Sequence, residues 1–160
     1  MLTRPQAAPL RFIALRLNLP DLAVDARRPG VAEAFRITVK YHDARHPDQV
    51  ATATKMQAYS APQLAVHYRR AAENPLILEH TLDLERFRSF MAALKKLGFD
   101  KLDDASDIDW YASDLWLVER GASSFHHDII IAPETAVGAH AELVRLVRDQ
   151  MHESIRAINP

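Results

Sequence analysis

The residues best equipped for chemistry lie between Trp116 and Asp128, in the run WLVERGASSFHHD. Reading Gly121 to Ser124 as a four-residue loop pairs Arg120 with Phe125, Glu119 with His126, Val118 with His127 and Leu117 with Asp128. Side chains alternate across a strand pair. Glu119, His126 and Asp128 therefore share one face with Leu115, Leu117 and Ile130, and Trp116, Val118, His127 and Ile129 take the other. An imidazole between two carboxylates can be oriented and charged for general acid–base work. The same three groups could ligate a divalent metal with water completing the shell. The plainer alternative is a polar surface patch.

A second constellation joins His127, on a strand, to His140, on the helix expected to cover it. Two inward imidazoles could ligate a metal, with Asp114 or Glu134 as a third ligand. Equally, each could be a neutral histidine satisfied by a backbone carbonyl. No HExxH spacing joins them. Tyr41 to His46 (YHDARH) places two histidines and an aspartate at a hairpin tip, a weaker metal signal. The acidic stretch Asp100 to Asp109 lacks the spacing and distal glutamate of a calcium loop, so it reads as a solvated loop. Ser123 and Ser124 lack a nucleophile elbow and read as turn residues.

Elements that would position these groups follow from periodicity. Arg11 to Leu19 alternates and reads as a strand, and Asp21 to Glu33 as a loop. Ala34 to His42 is the clearest strand, with Phe35, Ile37, Val39 and Tyr41 on one side. It forms a hairpin with Val50 to Tyr59. Ser60 to Glu73 supports strand or helix, with strand favoured, and Leu76 to Leu82 adds a short strand. Asp83 caps a helix whose stripe is Leu84, Phe87, Phe90, Met91, Leu94 and Leu97. Gly98 is its C′ residue. Ala112 to Glu119 and Phe125 to Ile131 are strands, and Pro133 opens a final helix with Val137, His140, Val144, Val147, Met151, Ile155 and Ile158 inward.

This order implies an α+β fold, an antiparallel sheet of about five to seven strands with two helices packed on one face. With 160 residues, a single domain over 1–160 is expected, residues 1–10 being loosely ordered. The chain has 48% apolar and 26% charged residues, a formal net charge of −1 and no cysteine. Near-neutral charge argues against a general grip on nucleic acid. The missing cysteines exclude disulfides and thiolate sites. No segment reads as a secretory signal or a membrane span, so a soluble, cytoplasmic protein is expected. Only four glycines are present, too few and too scattered for a phosphate-cradling loop, and no cofactor is expected.

Leu115, Leu117 and Ile130 make the last hairpin apolar on both faces. Two helices on one side leave that second face bare. A second subunit would cover it, which predicts a homodimer interface there. The N-terminal strand and its long loop folding over that face is the other solution. The functional expectation is a non-catalytic binding or interaction module that self-associates. The alternative is a small metal-binding or acid–base enzyme using His126 with Glu119 and Asp128, or His127 with His140.

Overall fold

The computed structural model describes residues 5–71 and 73–160. Six strands form one antiparallel sheet: β1 (Val31–Lys40), β2 (Gln49–Met56), β3 (Gln63–Tyr68), β4 (Leu76–Thr81), β5 (Leu115–Ala122) and β6 (Phe125–Ile131), in the order β4-β3-β2-β1-β5-β6. Among the described residues, four α-helices accompany it: α1 (Ala8–Arg16), α2 (Leu22–Asp25), α3 (Leu84–Leu97) and α4 (Gly138–Gln150). The α+β class is as the sequence predicts. Among the described residues, no helix is long and apolar enough to cross a membrane.

The helices α3 and α4 pack on the face carrying Phe35, Ile37, Val39, Trp116, Val118 and Ile129. Phe90 meets Phe35 edge-to-face at 4.9 Å, a favoured aromatic geometry. The Asp83 side chain accepts from the Arg86 backbone N–H, and Gly98 ends α3 in the left-handed conformation (φ 80°). Both follow from ordinary capping chemistry. The last helix differs from expectation. It starts at Gly138 rather than at Pro133, Val137 is exposed, and a separate 3-10 turn covers His152–Ile155.

The N-terminal segment departs most from the sequence reading. Arg11 to Leu19 contains helix, not strand. Its apolar residues are dense enough to satisfy two periods. Ile13, Leu15, Leu17 and Leu19 alternate, but Leu10, Ile13, Ala14 and Leu17 also recur at helical steps. The helical set is buried, while Leu15 is 63% exposed. Of the stretch expected to be loosely ordered, residues 5–10 form helical turns with Ala7 and Leu10 buried, and residues 1–4 lie outside the described residues.

This helix has a mate on the second face of the sheet. Leu10, Ile13, Ala14 and Leu17 cluster with Val50, Leu115, Leu117 and Ile130. Leu115, Leu117 and Ile130, expected at a subunit interface, pack here against α1 of the same chain. They are at most 5% exposed and are covered within the chain, so two helices occupy each face. The short α2 packs Leu22 and Ala26 against Ala34. A Cβ built on Gly121 would lie 2.8 Å from the Ala26 Cβ, so glycine lets α2 approach β5. Buried Arg36 ties the connecting segment down by donating to Pro20 O (2.7 Å), Asp25 Oδ2 (3.1 Å) and Thr52 Oγ1 (2.9 Å).

The two sheet edges differ. Beyond β6, the Ile130 N–H donates to Asp104 Oδ1 (2.8 Å) and Ala105 N–H to Ile130 O (3.0 Å). Part of the acidic stretch thus closes that edge instead of standing free in solvent, and Asp100 pairs with Arg120.

Candidate functional site

The last hairpin turns more tightly than the sequence suggests. Ala122 pairs with Phe125, Gly121 with His126, Arg120 with His127 and Glu119 with Asp128. The loop is two residues, Ser123 and Ser124, with Ser123 at φ 53°, as a primed hairpin turn requires. This register is two residues from the expected one. An even shift leaves every side chain on its original face. Glu119, His126 and Asp128 consequently still meet.

Each of the three offers a ligand atom within 4.8 Å of the others. His126 Nε2 lies 3.0 Å from Glu119 Oε1, with both side chains under 5% exposed. A fourth group, which sequence reasoning missed, joins them. Arg11, on α1, donates through Nη1 to Glu119 Oε1 at 3.1 Å and through Nη2 to Asp128. Its guanidinium neutralises the carboxylates where a divalent ion would sit, so an ion bound here would compete with it. The cluster closes the seam between α1 and the sheet. The sequence signal for Arg11 is an arginine beside the inward stripe of α1, and the alternation of Ile13, Leu15, Leu17 and Leu19 masks that stripe.

The second constellation resolves differently. His127 Nε2 bonds Leu102 O at 2.8 Å and His140 Nε2 bonds Asp103 O at 2.7 Å. Both imidazoles grip consecutive carbonyls of one loop. Among the described residues neither belongs to a three-ligand cluster. Asp114 pairs with His42 and Arg45, and Glu134 with Arg148.

A concavity lies elsewhere, at the end of the sheet where the β1–β2 connection, the chain after β3 and residues 158–160 converge. It is a cleft of about 790 Å³, within the range typical of small-molecule sites. Tyr41, Pro47, Leu76 and Ile158 supply apolar wall; Lys40, Arg69, Arg70, Asp48 and Glu73 supply charge. The C-terminal wall is pinned by two bonds to the sheet, Gln49 Nε2 to Ser154 O (3.0 Å) and Tyr68 Oη to Arg156 O (2.7 Å), and by one to the β1–β2 connection, His46 Nδ1 to Ile158 O (3.0 Å). Tyr41 donates its hydroxyl to Gln49 Oε1 at 3.2 Å. Burial, with Asp114 nearby, pushes the phenol up to about 12, so it stays a neutral donor.

Charge in the cleft is only partly paired. Arg70 meets Glu73 at 2.7 Å. Among the described residues, no carboxylate lies within ion-pair distance of the Lys40 ammonium or the Arg69 guanidinium. Both act at longer range on Asp48. That carboxyl is raised by burial, against a hydrogen bond from the Tyr41 N–H and the pull of Lys40 and Arg69.

No protein-family model matches the chain, and no curated protein matches it. The site is therefore read from its own residues. The sequence flagged the hairpin tip at Tyr41 to His46. It carries no sign that Arg69 and Ile158 arrive at the same place, because no local pattern encodes a meeting of segments far apart in the chain.

Proposed function

We propose that this protein is a binding module for a small anionic molecule, held in the cleft at the β1–β2 end of the sheet. The observation that carries this reading is the pair of cations Lys40 and Arg69, which meet no carboxylate at ion-pair distance among the described residues, beside an apolar wall of Tyr41, Pro47, Leu76 and Ile158. A carboxylate or phosphate would take the charge that Asp48 alone does not neutralise, and the body of the ligand would cover the apolar wall. Such a division, a mainly apolar lining with a few convergent polar groups, is usual for ligand sites.

Titration calorimetry with benzoate and with its neutral isostere benzamide tests the reading. Benzoate should bind, benzamide should bind at least tenfold more weakly, and Lys40→Gln/Arg69→Gln should remove the difference. Equal affinity for both probes, or no binding of benzoate, overturns it.

A specific observation also favours self-association, at a place other than the last hairpin. The outward side of α1 and α2 presents Phe12, Leu15 and Val24, each at least half exposed. A helix apolar on both sides usually has a partner on both. Light scattering at tens of micromolar should give twice the chain mass, and Leu15→Glu should restore the single-chain mass. A wild-type protein that scatters as one chain refutes this.

A further inference from the structure

The cleft holds one group whose geometry goes beyond binding, and the inference rests on the reading of the cleft as an anion site. His42 lines the same cleft. Its Nδ1 lies 2.9 Å from Asp114 Oδ1, and its backbone N–H donates to the same oxygen at 3.1 Å. Ring and main chain are thus fixed by one carboxylate. Asp114 is only 9% exposed, and it is held in turn by Arg45. Burial raises this carboxyl, but the hydrogen bonds from Arg45 and His42 outweigh burial and bring it down to about 2. An ionised acceptor at Nδ1 selects the tautomer with the proton on Nδ1 and a lone pair on Nε2. Among the described residues, Nε2 has no hydrogen-bond partner.

An imidazole oriented through Nδ1, with Nε2 open, is the arrangement of a general base. Of the cleft's two imidazoles, His42 is the one whose Nδ1 is held by a carboxylate, His46 Nδ1 meeting a backbone carbonyl instead. The Tyr41 hydroxyl is committed to Gln49, His46 Nδ1 to Ile158 and Glu73 to Arg70. Among the described residues, the lining contains no serine, threonine or cysteine to act as nucleophile. Isomerisation of a C–H acid generally needs a second proton-transfer group, whereas addition of water to an acyl carbon needs one base that can return its proton.

We propose that His42 is a catalytic base that activates water against a small carboxylate-bearing ester, with Asp114 as its positioning residue and Lys40 and Arg69 receiving the carboxylate. Water oxygen bonds to the ester carbon while its proton passes to His42 Nε2. The tetrahedral intermediate then breaks the carbon–oxygen bond to the leaving group. The departing alkoxide takes the proton back from Nε2, or, when it leaves as a stable phenolate, the proton goes to solvent. No oxidant or reductant is involved.

The test uses the half-ester of succinic acid with 4-nitrophenol, followed by release of nitrophenolate. Wild-type protein should hydrolyse it with saturation, and 4-nitrophenyl acetate, which lacks the carboxylate, with a higher KM. His42→Gln leaves the Asp114–Arg45 pair intact and should lower kcat about 100-fold while benzoate binding is retained. Asp114→Asn should lower kcat with little change in KM. It should also shift the His42 imidazole nitrogen signals away from the Nδ1–H tautomer, a change that mere loss of packing would not produce. Saturable binding of benzoate without ester turnover, or turnover unaffected by His42→Gln, overturns the catalytic assignment and leaves the binding reading standing. Failure of both binding and turnover removes both.

Discussion

Glu119 and Asp128 stand directly opposite one another on β5 and β6, a like-charge cross-strand pair that is destabilising unless a cation intervenes. Arg11 is that cation, reaching both from α1. Removing it leaves the two carboxylates facing each other across the strands without the guanidinium that bridges them. Arg11→Ala should cost about 3–5 kcal/mol of unfolding free energy, the usual penalty for breaking a buried pair, measured by urea denaturation. A loss under ~1 kcal/mol would mean that α1 is held by its apolar stripe alone.

The contact of Gly121 with Ala26 gives a sharper packing test. Gly121→Ala forces a methyl against the Ala26 methyl at 2.8 Å and should destabilise by about 1–3 kcal/mol, as overpacking does. The double variant with Ala26→Gly should recover most of that loss. Absence of recovery would separate the effect from the α2–β5 contact.

At the hairpin turn, Ser123 sits at φ 53°, a conformation that costs a residue with a Cβ about 1 kcal/mol or more. Ser123→Gly should therefore raise the melting temperature, and Ser123→Val should lower it. The reverse order in thermal scans would contradict the two-residue loop.

His127 and His140 are expected to act as loop anchors. Replacing either with alanine frees one carbonyl of Leu102 or Asp103 and should cost about 1 kcal/mol. Hydrogen exchange should quicken across residues 99–109. Neither variant should change the thermal shift produced by added zinc; a lost zinc response would restore these residues as ligands.

Acid stability should track Asp114. Its carboxyl, at about 2 when folded, lies below the ordinary value of about 3.9. The unfolded chain thus binds the proton first. The stabilisation is complete above pH ~4 and is lost as pH falls through about 2. Arg45→Gln removes the main hydrogen bond that lowers this carboxyl, so its pH-dependence between about 4 and 2 should flatten. An unchanged acid profile would show that Arg45 does not hold Asp114 down.

Much of the framework was legible from the sequence alone. Alternation around Phe35, Ile37 and Val39 marked β1. The cap Asp83, the stripe Phe87–Phe90–Leu94 and Gly98 marked α3. These signals are local, and burial on one face writes them directly into residue order. The grouping of Glu119, His126 and Asp128 was also legible, and it outlasted a wrong loop length because the error was even. Tertiary structure alone decided the rest. Whether Arg11 to Leu19 became strand or helix depended on what the second sheet face needed covering, since its apolar residues fit both periods. The cleft joins Lys40, His42, Arg69 and Ile158, and its Asp114–His42 pair spans 72 residues. Such meetings follow from chain topology and side-chain packing, and no stretch of neighbouring residues carries their record.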